Sequence, residues 1–190
     1  MHPFRKLLLI AMGRASSFEK APSSRDWARL YSMARQQTLV GVLNDAVHQL
    51  PADQLPPENL LQEWDEATAK IGRVYHMHEQ HIVELEELLG RMGLHGCILK
   101  GTSLAHLYPT PERRMCGDID VWIAGTHDSI LEAFDKADIP IYDIIYQECK
   151  VGIFLDTEVE VHFHASKMYN PFLNARLQRY LEANSPSGTM

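Results

Sequence analysis

Basic charge, cysteine and long apolar runs are all scarce in this sequence. Lys and Arg number 18 against 25 Asp and Glu, which leaves a formal net charge of −7. Binding to a phosphate backbone is driven by clustered Lys and Arg, so this balance argues against general nucleic-acid binding. It leaves room for a small phosphate-bearing ligand held by a local site. The three cysteines, Cys97, Cys116 and Cys149, are odd in number and too widely spaced for a zinc knuckle. They fit reduced thiols and a cytoplasmic location. No stretch approaches the roughly 18 apolar residues of a membrane span, so no membrane partner is expected. The opening run Phe4-Arg5-Lys6-Leu7-Leu8-Leu9-Ile10 faintly resembles a signal peptide, but Arg14, Glu19 and Lys20 follow without a small-residue cleavage site. It reads as a first amphipathic helix. Internal repeats and low-complexity tracts are also missing.

What is present is a packable chain of 190 residues, 45% of them hydrophobic, enough for one ordinary domain or two small ones. Its texture changes at Gly93. Before that point it reads as helix after helix: a short one over 4–12, one from the cap candidates Ser23 to Asp26 through 49, and a long one over 58–91. Trp27, Leu30, Tyr31, Ala34, Leu43 and Ala46 form much of the second helix's apolar stripe, which Gly41 weakens. Trp64, Ala67, Ile71, Val74, Met77, His81 and Leu85 form that of the third. After Gly93 the pattern becomes mixed: a strand over 95–99, a helical turn or two over 102–108, a strand over 118–124 and a helix over 129–137. Strands then follow over 142–149, 151–156 and 158–164, the last two forming a hairpin at Asp156-Thr157. A helix over 171–181 precedes a disordered tail. The expected organisation is a helical region 1–93, a mixed core 94–168 and a C-terminal helix and tail 169–190, an α+β fold.

Asp118 and Asp120 stand two apart on an expected strand. Period-two geometry puts both carboxylates on one face, while Ile119, Val121 and Ile123 take the other. Adjacent carboxylates repel unless a cation lies between them. Mg2+ (or Mn2+) suits them, because it prefers oxygen and commonly joins one or two carboxylates to substrate phosphates. The strand Glu158-Val159-Glu160-Val161-His162-Phe163-His164 repeats the pattern. Paired beside the first in suitable register, it makes Glu160 a third acid of the same site. Leu99-Lys100-Gly101-Thr102-Ser103 ends a strand and opens a helix. There Gly101 admits a phosphate to the backbone, and Lys100 and Ser103 add a charge and a hydroxyl. The order of strand, Gly turn, helix, acidic strand and further acidic strand suits metal-dependent nucleotidyl transfer.

Three segments sharpen this into a resemblance. Ile98-Leu99-Lys100-Gly101-Thr102-Ser103-Leu104-Ala105-His106-Leu107-Tyr108-Pro109 is similar to the "LKG…LA…LYP" opening of an uncharacterised nucleotidyltransferase family in the DNA polymerase β-like superfamily. Arg114-Met115-Cys116-Gly117-Asp118-Ile119-Asp120-Val121-Trp122-Ile123 resembles its "R-x-x-GDIDLLV" segment, and Glu160-Val161-His162-Phe163 its "E-h-H-aromatic" segment. The resemblance implies a polymerase β-like nucleotidyltransferase core, a small mixed sheet with flanking helices. It implies Asp118, Asp120 and Glu160 as catalytic metal ligands and nucleotide phosphate near Gly101, Thr102 and Ser103, with Lys100 or Arg114 balancing charge. The expected partner is an NTP, ATP first, with the acceptor open.

Other residues divide between chemical and plain readings. His162 reads as a partner of the metal ligands or a phosphate contact, since Mg2+ disfavours imidazole. His164 reads as solvated. Trp122 shares the acidic face and either stacks on a base or covers the sheet. His76, His78 and His81 read as partly exposed polar positions of the long helix rather than a metal site. Two competing functions stand beside the transferase: a catalytically inactive nucleotide-binding or protein-interaction module on the same fold, and a helical interaction protein whose acidic strand is incidental.

Overall fold

The computed structural model describes residues 2–184, so the expectation for the tail at 185–190 lies outside the described residues. The fold is α+β: seven α-helices and one five-stranded mixed sheet among the described residues. The chain divides into two compact units, one formed by Met1–His76 with Ala105–Cys116, the other by Met77–Leu104 with the chain from Gly117 onward.

The first unit is helical. Its elements are α1 (Pro3–Ala11), α2 (Ser24–Gln36), α3 (Val40–Val47) and the first part of α4 (Glu58–Arg91). Ser23 caps α2 in a reciprocal box: its hydroxyl accepts from the Asp26 N–H, and the Asp26 carboxylate accepts from the Ser23 N–H. The single helix expected from Ser23 to Gln49 is therefore two. Thr38, at φ 55°, sits in the left-handed region and breaks it. Gly41, which looked like the weak point, lies inside α3, where a methyl group would collide with the Arg113 carbonyl. The core gathers Leu7, Trp27, Leu30, Ala34, Leu43 and Trp64, all buried. The Trp64 ring meets those of Trp27 and Tyr31, and its indole N–H donates to the Val40 carbonyl at 2.8 Å.

The second unit holds the sheet. Its strands are β1 (Gly96–Leu99), β2 (Ile119–Ile123), β3 (Ile141–Tyr142), β4 (Glu148–Val151) and β5 (Val159–His162), in the order β1-β2-β5-β4-β3. β2 and β5 run parallel; the other neighbours are antiparallel. Alternation decides the faces. Ile119, Val121, Ile123, Cys149, Val151, Val159 and Val161 turn into a core closed by Leu85 and Leu89 of α4 and by Ile130 and Phe134 of α6 (His127–Lys136). α6 starts at the Thr126 hydroxyl, which accepts from the Ser129 N–H. Burial pushes the Cys149 thiol up to about 11, with Glu148 adding to the effect, so it rests as an inert core group.

Two expectations are corrected here. The strand placed over 142–149 touches β3 only at Tyr142, and its far end joins the start of the one placed over 151–156 in β4, which crosses the supposed gap at Lys150. The last two strands do pair antiparallel, but with Val151 opposite Val159, so the tight turn expected at Asp156-Thr157 is replaced by the longer connection 152–158. No helix among the described residues is long and apolar enough to cross a membrane.

Candidate functional site

The face of the sheet opposite the core carries the acids. Register sets them in rows. Asp120 pairs with Glu160, and Glu160 with Lys150. One step along, Trp122 pairs with His162, and His162 with Glu148. Asp118 immediately precedes β2, and Glu158 immediately precedes β5. The parallel pairing of two strands some forty residues apart is what brings the acids together. The arrangement the sequence required, Glu160 beside Asp118 and Asp120, is the one observed.

Two overlapping groups of donor atoms result. One ligand atom each from Asp120, Glu160 and His162 lies within 4.8 Å of the others, and the same holds for Asp118, Glu158 and Glu160. The donors are mainly hard carboxylate oxygens, the set Mg2+ or Mn2+ takes. Asp120 is only 3% exposed, so its charge is withheld from water and needs a counter-charge. The residues present fit a divalent cation at both groups.

The counter-charges visible in this structure are side chains. Asp120 Oδ1 accepts from Lys100 Nζ at 2.7 Å and pairs with His162 Nε2 at 2.7 Å. The other ring nitrogen of His162 lies 3.2 Å from Glu148. Lys150 Nζ sits 2.8 Å from Glu158 and 3.7 Å from Glu160. The bond to Asp120 raises the Lys100 pKa, keeping its ammonium charged. Glu160 is held above the usual carboxylate range, first by burial and then by Glu148, Asp118 and Asp120. Bound cations relieve that kind of crowding.

The Gly turn lies in the same unit. Lys100 (φ 50°) and Gly101 (φ 39°) both adopt the left-handed region, which Lys seldom does. The following helix α5 (Gly101–Ala105) is a short five residues, stopping earlier than expected. The Ser103 hydroxyl donates to the Lys100 carbonyl at 2.6 Å, closing the turn. Thr102 is buried, and its hydroxyl has no hydrogen-bond partner among the described residues. Arg114 belongs to the first unit, where its guanidinium contacts the Met115 carbonyl and the Cys116 sulfur. Trp122, 9% exposed, is a buried part of the acidic face.

Sequence reasoning missed Glu148 and Lys150 on this face. Their signal was the alternation Glu148-Cys149-Lys150-Val151, obscured by placing a strand break at Lys150. It also misplaced His78, expected to be partly exposed, which is 1% exposed. Its Nδ1 has no hydrogen-bond partner among the described residues. His81, nearby on α4, stacks on Phe154 at 3.9 Å and bonds Thr157 at 3.0 Å, while His76 is exposed beside Glu112.

Burial holds the His78 pKa below the ordinary histidine value; His81 acts in the same direction, and Asp118 and Asp156 oppose it. A histidine buried neutral takes up its proton on unfolding. Its contribution to stability is therefore complete above the unfolded value of about 6.5 and is lost as pH falls from there through the lower folded value. The melting temperature should decline between about pH 7 and 5.5 more steeply in the wild-type chain than in His78→Leu. Parallel declines would show that another group sets the slope.

No curated protein and no solved structure matches this chain. A family model does, across residues 23–190 and so across the acidic strands, the Gly turn and most of the helical region. The chain belongs to that family, an uncharacterised nucleotidyltransferase family.

Proposed function

We propose that this chain is a metal-dependent nucleotidyltransferase of the DNA polymerase β type, moving a nucleoside monophosphate from an NTP, ATP first, to an acceptor hydroxyl. In that reaction the acceptor oxygen bonds to the α-phosphorus, the bridge to the β-phosphate breaks, and pyrophosphate leaves with the electron pair. Asp118, Asp120 and Glu160 hold the cations, with Glu158 completing the second group. Mg2+ or Mn2+ bound there supplies positive charge for the phosphate oxygens and lowers the pKa of the attacking hydroxyl. Glu160 assists removal of the hydroxyl proton. Gly101, Thr102 and Ser103 receive the triphosphate, and Lys100, in the same unit, balances its charge. His162, held between Asp120 and Glu148, fixes the Asp120 carboxylate.

The observation that carries this reading is the register of Asp120 opposite Glu160, which joins acids from two separated strands into one group of oxygens. The direct assay incubates the purified chain with each of the four α-labelled NTPs, Mg2+ or Mn2+, and three acceptor classes: protein, small hydroxyl compounds and RNA. Pyrophosphate release should fall to background in EDTA and return when Mn2+ is added back in excess. Release that continues in EDTA would overturn the metal dependence. Saturable binding of Mg2+–ATP without pyrophosphate release under any of these conditions would favour the inactive-module reading instead.

A further inference from the structure

Each of the two donor groups carries an ammonium: Lys100 on Asp120 and Lys150 on Glu158 and Glu160. The two placements differ. Glu158 is half exposed, so water screens its pair with Lys150. Asp120 is 3% exposed, and its Oδ1 takes both Lys100 and His162. Lys100 itself is 60% exposed, so its head group has free space to leave. Its backbone adjoins Gly101, Thr102 and Ser103, the segment assigned to the triphosphate. A lysine is a point charge on a flexible four-carbon stem, and it can exchange one anionic oxygen for another without backbone movement.

We propose that Lys100 is a tethered counter-cation. In the nucleotide-free chain its ammonium occupies the Asp120 arm of the carboxylate cage and opposes free divalent ions. An arriving triphosphate draws the ammonium onto its own oxygens and frees Asp120. Metal then enters with the nucleotide rather than ahead of it, and the chain does not collect free divalent ions between turnovers. No bond is made or broken; one ion pair replaces another. This inference rests on the metal-dependent reading above and adds an order of binding to it.

The test is calorimetric and needs no turnover. MnCl2 is titrated into the wild-type chain, Lys100→Met and Lys100→Arg, each alone and with saturating α,β-methylene-ATP. Met keeps the length of the side chain and has the same difficulty as Lys at φ 50°, so the substitution isolates the charge. Removing a unit charge this close to a ligand oxygen should tighten Mn2+ binding to the nucleotide-free chain about tenfold. Lys100→Arg should bind Mn2+ as weakly as the wild type. With the analogue present, wild-type affinity for Mn2+ should rise and the gap to Lys100→Met should close. Should Lys100→Met not fold, Lys100→Gln serves the same comparison.

Equal Mn2+ affinity in the nucleotide-free wild type and Lys100→Met would overturn the counter-cation role while leaving the metal site intact. Absence of Mn2+ binding in every variant, with and without the analogue, would instead remove the metal site and this role together.

Discussion

Asp120→Asn should lower the rate of pyrophosphate release by about a thousandfold or more and leave the fold standing. The substitution preserves size and hydrogen-bonding shape but removes the negative charge. A hard cation needs that charge, and at 3% exposure no water can take the place of the lost oxygen anion. The cost to folding is small because each partner has an alternative. Lys100 is mostly exposed and can be solvated, and His162 keeps Glu148 at 3.2 Å. With the exposed lysine discounted for solvent screening, the destabilisation should be about 1 kcal/mol. Initial rates, Mn2+ affinity and melting temperature measured on the same preparation separate these effects. A variant that keeps more than about a tenth of wild-type activity would show that Asp120 is not a ligand of the reacting centre.

Much of this site was legible because β-strands have a strict period. Asp118 and Asp120 had to share a face, and Glu160 and His162 had to share one with Glu158, whatever their partners. The α+β class followed from the change of texture at Gly93. What periodicity does not carry is pairing. Whether the Glu160 strand lay beside the Asp120 strand depended on a parallel contact between distant segments. Whether Glu148 and Lys150 joined them depended on a four-residue strand whose apolar neighbours, Ile144, Ile145, Ile153 and Phe154, imitate further strands.

The helical region was legible as helices, the long one with its observed ends, but a break and a buried face within it were hidden for a different reason. Thr38 breaks the second helix without a glycine or proline, so nothing local announces the turn. The buried line of α4 keeps Trp64 and Leu85 of the expected apolar stripe, but between them it takes Thr68, Tyr75 and His78, each one position beyond the Ala67, Val74 and Met77 chosen on hydropathy. Polar His78 was read as partly exposed because its type favours it. Lys100 shows the limit of composition at the site itself: a lysine beside a phosphate-binding turn and a lysine neutralising a carboxylate have the same sequence signature. Only the 2.7 Å contact with Asp120 tells them apart.

Trp64→Ala should be the most destabilising single truncation in the helical unit, at about 3–5 kcal/mol. Three effects coincide at this side chain. It is 0% exposed, so its whole apolar area is withdrawn from water. Its ring packs edge-on to Trp27 at 6.2 Å and tilted against Tyr31 at 5.0 Å, contacts that an alanine leaves facing a cavity. Its N–H serves the Val40 carbonyl at the first turn of α3, a buried hydrogen bond that alanine cannot make. Natural domains hold only about 5–15 kcal/mol in total, so the loss would consume much of the margin. Thermal unfolding followed by circular dichroism should shift down by about 10 °C or more. Trp64→Phe, which keeps most of the ring area and loses the N–H, should fall about midway, dividing the packing share from the hydrogen-bond share. If Trp64→Ala melted within about 2 °C of the wild type, the tryptophan cluster would not be the centre on which α2, α3 and the start of α4 assemble.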